Sequence, residues 1–201
     1  MGKVTTSASV SLDGFIAGPG ETGFEHLFAW YEAGEVEYPS QLEGVRFSLT
    51  PADHAYLTAA VERIGVFVVG RRLFDLTDGW TGRHPLDKPV VVVTHALPTD
   101  WVATHPGAPF TFVTDGVAEA IEVARGIAGD RDIGLNAGSI LSQALELGLV
   151  DEIVLDLAPV LLGGGTRFFD ALTSGPILLD GPEITPGERI THLRYTVRRQ
   201  A

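Results

Sequence analysis

The residues best placed to do chemistry stand at the ends of apolar runs. Val66-Phe67-Val68-Val69 turns at Gly70 directly into Arg71 and Arg72. A run of this kind reads as a strand buried on both faces, and two arginines at the start of the next helix could clamp a phosphate. Basic side chains at a helix N-terminus oppose the macrodipole, so the pair calls for a counter-anion. The other reading is two solvated residues on a first helical turn. Asp132 to Asn136 is a second such run, followed by Ala137, Gly138, Ser139 and Ile140. Gly138 lets a ligand approach the backbone, and Ser139 offers a cap and a hydroxyl donor. That suits a pyrophosphate, and equally an ordinary tight turn. Thr94 and His95 close a third run, Val90 to Val93, as a cofactor contact or as residues leaving the sheet.

The remaining candidates are turns. Asp13, in Ser11-Leu12-Asp13-Gly14, is either a turn-forming aspartate or a polar group aimed into a cleft. Gly163-Gly164-Gly165, before Thr166 and Arg167, lacks the lysine and spacing of a Walker loop and reads as a special turn at the cleft. The six histidines show no paired ligand spacing, so no metal is expected. A G-x-S-x-G elbow is absent, which counts against an α/β-hydrolase.

Strands and helices must hold these residues together. Lys3 to Leu12 is rich in Val, Thr and Ser and reads as a first strand. Phe24, Leu27, Phe28 and Tyr31 have helical spacing, which predicts a short amphipathic helix over 24–31; Glu32 to Leu49 then reads as a loop or lid. Thr50 can cap a helix that has Pro51 at its first position and runs to Ile64. Besides Val66 to Val69, strands are expected at Pro89 to Thr94, Phe110 to Val113, Asp132 to Asn136 and Glu152 to Val160. Helices are expected at Arg71 to Leu76, Gly116 to Ala128 and Ser139 to Leu147. Such alternation predicts right-handed crossovers and a mainly parallel sheet covered on both sides. Two strand-like stretches, Pro176 to Leu179 and Arg189 to Arg198, predict an antiparallel hairpin at the end of one domain spanning 1–201.

Composition narrows the partners. With 26 acidic and 14 basic residues the net charge is -12, which repels nucleic acid and anionic membranes. No cysteine is present, so disulfides, thiolate zinc sites and cysteine nucleophiles are excluded. The start, Met1 to Ser7, lacks the apolar core of a signal peptide, and no apolar run approaches the ~18 residues of a membrane span. A cytoplasmic protein acting on a small molecule is the expectation.

Taken in order, Ser11-Leu12-Asp13-Gly14-Phe15-Ile16-Ala17, Val69-Gly70-Arg71-Arg72, Val93-Thr94, Ala137-Gly138-Ser139, Gly148-Leu149-Val150-Asp151-Glu152 and Pro159-Val160-Leu161-Leu162-Gly163-Gly164-Gly165 resemble the dihydrofolate reductase-like superfamily. The branch is that of the C-terminal reductase domain of the riboflavin-biosynthesis deaminase-reductase. The resemblance implies a three-layer α/β/α fold, NADPH as cofactor, a homodimer, and an activity like that of 5-amino-6-(5-phosphoribosylamino)uracil reductase on a small carbonyl, imine or heteroaromatic substrate. The alternative is an NADPH-binding module without turnover. By resemblance, Gly70, Arg71 and Arg72 lie at the nucleotide phosphates, Thr94 and His95 at the 2′-phosphate region, and Gly138, Ser139 and Ile140 over the pyrophosphate. Ala17 and Gly18 fall beside the nicotinamide, with Asp13, Gly164 and Arg167 on the substrate side. Leu73 stands where the family often has Thr, and Ala137 where a first glycine is usual.

Overall fold

The computed structural model describes residues 2–170 and 172–199. Met1, Ala171, Gln200 and Ala201, part of the domain expected over 1–201, lie outside the described residues. In chain order the strands are β1 (Val4–Ser11), β2 (Phe15–Ala17), β3 (Val36–Tyr38), β4 (Phe47–Leu49), β5 (Ile64–Gly70), β6 (Val90–Val93), β7 (Phe110–Val113), β8 (Asp132–Leu135), β9 (Glu152–Ala158), β10 (Thr166–Arg167), β11 (Leu179–Pro186) and β12 (Thr191–Val197). The α-helices are α1 (Phe24–Leu27), α2 (Pro51–Arg63), α3 (Arg71–Leu76), α4 (Thr99–Thr104), α5 (Val117–Ala128) and α6 (Ser139–Glu146).

The main sheet has the order β11-β12-β9-β1-β8-β5-β6-β7. β9, β1, β8, β5, β6 and β7 run parallel, while β12 and β11 are antiparallel. The predicted mainly parallel sheet and terminal hairpin are therefore both present. The cause is the one the sequence suggests, since Val66 and Val68 of β5 and Val90 to Val92 of β6 are buried on both faces.

The two faces of the central strands differ. On one, Val4, Val10, Val66, Val68, Ile133, Leu135 and Ile153 meet the apolar stripes of α5 and α6, among them Ile121, Ala124, Leu141 and Leu145. Over the other face α2, capped as expected by a Thr50 hydroxyl that accepts the Asp53 N–H at 3.2 Å, buries Leu57 and Val61 against Leu27, Trp30 and Leu49. A third cluster, Val69, Phe74, Val90 and Val92, lies under α3 and α4. Between these last two clusters the sheet carries Thr5, Ser7 and Ser9 of β1 and Asp156 of β9, alternate positions that share a side.

Four expectations are corrected. The helix over 24–31 is divided: α1 ends at Leu27, and a 3₁₀ turn, Ala29–Glu32, follows, burying Trp30 so that its indole donates to Ser9 Oγ at 3.0 Å. The 32–49 segment contains a hairpin, β3 paired with β4, held by Tyr31, Tyr38 and Phe47 rings. The strand expected at Pro176 to Leu179 lies further on, as β11; Pro182 and Pro186 are tolerated because an edge strand has one side without a partner. The short β2, β10 and α4 appear where no element was expected.

Candidate functional site

A cleft of about 1180 Å³ opens at the carboxyl ends of β5 and β8 and extends down the polar face beneath α2. Its rim is made by Ala17, Glu21, Gly70, Arg72, the stretch from Ala137 to Ile140, and Gly165 to Arg167. β2 and β10 bring two of these segments together, because Ala17 pairs with Thr166. Gly165, at φ 117°, lies so close that an added Cβ would stand 2.0 Å from the Ala17 carbonyl oxygen. Gly138 holds φ 88° and donates its N–H to Phe168 O at 2.9 Å, which fixes the start of α6 against the far side of the rim. Arg167 stacks 4.8 Å above the Phe15 ring centroid.

The two arginines diverge. Arg72 lines the rim and pairs with Glu21, whereas Arg71 donates to Asp75 Oδ1 at 2.7 Å, Thr94 Oγ1 at 3.2 Å and Ala96 O at 3.0 Å. The counter-anions that the pair calls for thus come from the chain itself. Arg71, Thr94, His95, Gly18, Gly164 and Asp13 stand outside the cleft wall. Thr94 is buried with its hydroxyl on Ala96 O at 2.8 Å, His95 is exposed beyond β6, and Gly18 is tied to Thr22 O at 2.7 Å. Asp13 accepts from the Ser11 hydroxyl at 2.6 Å, Gly163 N at 2.7 Å and Leu162 N at 3.1 Å. The Ser11 bond first, then the two amides, hold its carboxyl down at about 2. These bonds staple the end of β1 to the glycine turn behind β10.

The floor of the cleft is built from residues that no local motif marks. Asp156 Oδ1 accepts from Tyr56 OH and His192 Nδ1, both at 2.7 Å, while Oδ2 has the Ser7 hydroxyl at 3.2 Å. His192 stacks on Tyr56 with centroids 3.5 Å apart and presents Nε2 to Asp53 Oδ1 at 3.3 Å. One ring nitrogen of His192 thus faces each of the two carboxylates. Burial first, and then the Asp156 charge, push the Tyr31 and Tyr56 phenols well above the usual tyrosine range. A second arm of the cleft is apolar, lined by Leu57, Phe67, Leu73, Leu76 and Trp80 with His84 among them. His84 Nδ1 accepts the Leu86 N–H at 3.2 Å, and burial lowers its pKa to about 4. The period-two hydroxyls of β1 were the one available signal for this floor.

An open, mainly parallel sheet with a cleft at its carboxyl edge is the arrangement in which α/β proteins bind ligands, and with the antiparallel β12 and β11 at one end it has the architecture expected of a dihydrofolate reductase-like domain. The chain belongs to the RibD C-terminal domain family, whose model matches residues 2–179. A putative riboflavin biosynthesis protein from Shewanella sp. PV-4 is similar in structure, at TM-score 0.67 and 22% identity over 98% of this chain and 99% of that one. RibD of Acinetobacter baumannii matches at TM-score 0.62 and 14% identity over 98% of this chain but 58% of its own. The riboflavin biosynthesis reductase Rib7 of Saccharomyces cerevisiae matches at TM-score 0.61 and 11% identity over 98% and 90%. No curated protein matches in sequence. Among the described residues, no helix is long and apolar enough to cross a membrane.

Proposed function

We propose that the protein is an NADPH-dependent reductase acting on a small carbonyl, imine or heteroaromatic substrate. The observation that carries this reading is one cleft with two chemistries, a glycine-rich cationic rim at the carboxyl edge of the sheet and a buried polar floor beneath α2. A bound nicotinamide would supply the hydride. The rim residues fit such a group: Gly70 and Gly138 leave the backbone open, Ser139 begins a helix whose first amides lack intrahelical partners, and Arg72 and Arg167 supply the cations. Arg72 must exchange Glu21 for a phosphate. Arg71 acts from outside the wall by bracing Thr94 and the end of β6. Ala17 and Gly165 hold two backbone segments together on the rim beside the floor. Hydride transfer itself asks mostly for positioning of the nicotinamide against an electrophilic carbon, so that step needs no conspicuous acid.

Titration with NADPH and NADH tests the reading. NADPH should bind the more tightly, and Arg72→Ala should lose most of that preference; equal affinities in the parent protein would overturn the assignment. Bleaching of the nicotinamide absorbance across carbonyl and imine substrates reports turnover. Binding with no bleaching on a broad panel would instead favour a nucleotide-binding module.

A further inference from the structure

The nucleotide reading leaves the floor of the cleft without a task. We infer that Asp156, with Ser7 and Ser9 beside it, selects the substrate by accepting an N–H-bearing edge that is neutral or cationic, and that this floor rejects an anionic one. The inference deepens the reductase reading and rests on it for calling the occupant a substrate.

Asp156 is only 5% exposed. Burying a carboxylate costs several kcal/mol unless its lone pairs are filled. Oδ1 meets that demand with two bonds of 2.7 Å, but Oδ2 has a single contact at 3.2 Å, and a carboxylate oxygen accepts more than one donor. Asp156 is among the residues that line the cleft. Ser9 is the register partner of Asp156 on the adjacent strand, about 4.8 Å away. Its oxygen accepts from Trp30, and its own proton meets no acceptor among the described residues. A free acceptor and a free donor therefore stand side by side, which suits the N–H and acceptor of an amide-like edge.

A second polar group on the same floor also lacks a partner. Thr5, two positions from Ser7 on the same side of β1, is 8% exposed, and its hydroxyl has no hydrogen-bond partner. Thr6 and Thr58 also lack partners, but of the three only Thr5 lines the cleft. The charges around Asp156 disfavour an anion. Two carboxylates, Asp53 and Asp156, flank one imidazole, and Tyr31 and Tyr56 are kept as neutral phenols. Further down the floor, Arg63 and Arg194 are held by Asp132 and Glu152, and Glu152 is also paired with Lys3. An anionic substituent therefore belongs at the rim, near Arg167, and near Arg72 once that side chain has released Glu21.

Calorimetric titration of the full chain with benzamidine, benzamide and benzoate separates the cases, because the three share shape and differ in charge and donors. Benzamidine and benzamide should bind at least tenfold more tightly than benzoate, and Asp156→Asn should level the series. Benzoate binding as well as benzamide, no binding of any probe, or an unchanged preference in Asp156→Asn would overturn the assignment; should that variant fail to fold, the parent series alone decides. NADPH binding with no preference among the probes would sink the floor assignment and leave the reductase reading standing. A clear preference without NADPH binding would do the reverse.

Discussion

Acidification should reveal His84 as a neutral group in the cleft wall. Its Nδ1 accepts the Leu86 N–H, which places the ring proton on Nε2, and burial between Phe67 and Trp80 lowers its pKa from 6.5 to about 4. Above pH 6.5 the ring is neutral in both folded and unfolded chains and adds nothing to the pH dependence. Between pH 6.5 and about 4 the unfolded chain takes up a proton that the folded chain refuses, so stability falls as the pH falls. At about 1.4 kcal/mol per pH unit, the gap amounts to roughly 3 kcal/mol at most, all of it lost by pH 4. His84→Asn is the control, since its side-chain oxygen can still accept from Leu86 while nothing titrates. Urea unfolding of both proteins from pH 7 to pH 4 should show the parent losing about 3 kcal/mol more than the variant. Subtracting one curve from the other removes the carboxylates common to both. Parallel curves would refute the neutral, half-buried assignment.

Two further perturbations probe the rim. Gly165→Ala would place its Cβ 2.0 Å from Ala17 O at φ 117°, so it should cost at least about 1–3 kcal/mol and part β2 from β10; unchanged urea stability with unchanged NADPH affinity would contradict the close approach. Asp13→Ala releases the Leu162 and Gly163 amides, and should lower Tm and speed hydrogen exchange at those two positions. Because the Asp13 carboxyl is depressed to about 2 from 3.8, its contribution is present above pH 3.8 and is lost as the pH falls through 2. The difference from the parent should shrink over that window, and a difference independent of pH would contradict the carboxylate staple.

The alternation of strands and helices was legible because the parallel strands other than β1 are largely apolar runs punctuated by glycine or a helix start, as in Val66 to Gly70. β2, β3, β4 and β10 were not legible. Two- or three-residue strands carry no periodicity, and their pairing is decided by what faces them, as Ala17 faces Thr166. The rim was partly legible for the same reason as the strands. Gly70, Gly138 and Ser139 mark strand ends that topology brings to one edge, but the sequence did not show that Arg71 turns away toward Thr94 while Arg72 remains. The floor was hidden more deeply. Asp156 sits inside an apolar run, His192 in an edge hairpin and Tyr56 in the middle of a helix, so nothing local distinguishes them until β9, β12 and α2 converge.

The charge balance and the arginine pair can now be reconciled in physical terms. Arginines at a helix start demand an anion, and in a chain with net charge -12 an acid is the nearest supplier: Asp75 for Arg71 and Glu21 for Arg72. A phosphate arriving at Arg72 gains the difference between itself and Glu21, which is small for exposed pairs because water screens both. Most of the nucleotide's affinity at the rim must then come from what Glu21 cannot offer, the open amides at the start of α6 and the close backbone approach at Gly138 and Gly165, while Arg72 adds the modest part that separates NADPH from NADH. The floor works under the opposite regime. Asp156 is buried, so each of its hydrogen bonds is made in a low dielectric, and a lone pair left without a donor costs more than an exposed ion pair gains. Affinity for the nucleotide should therefore respond to salt, while selection at the floor should be nearly indifferent to it.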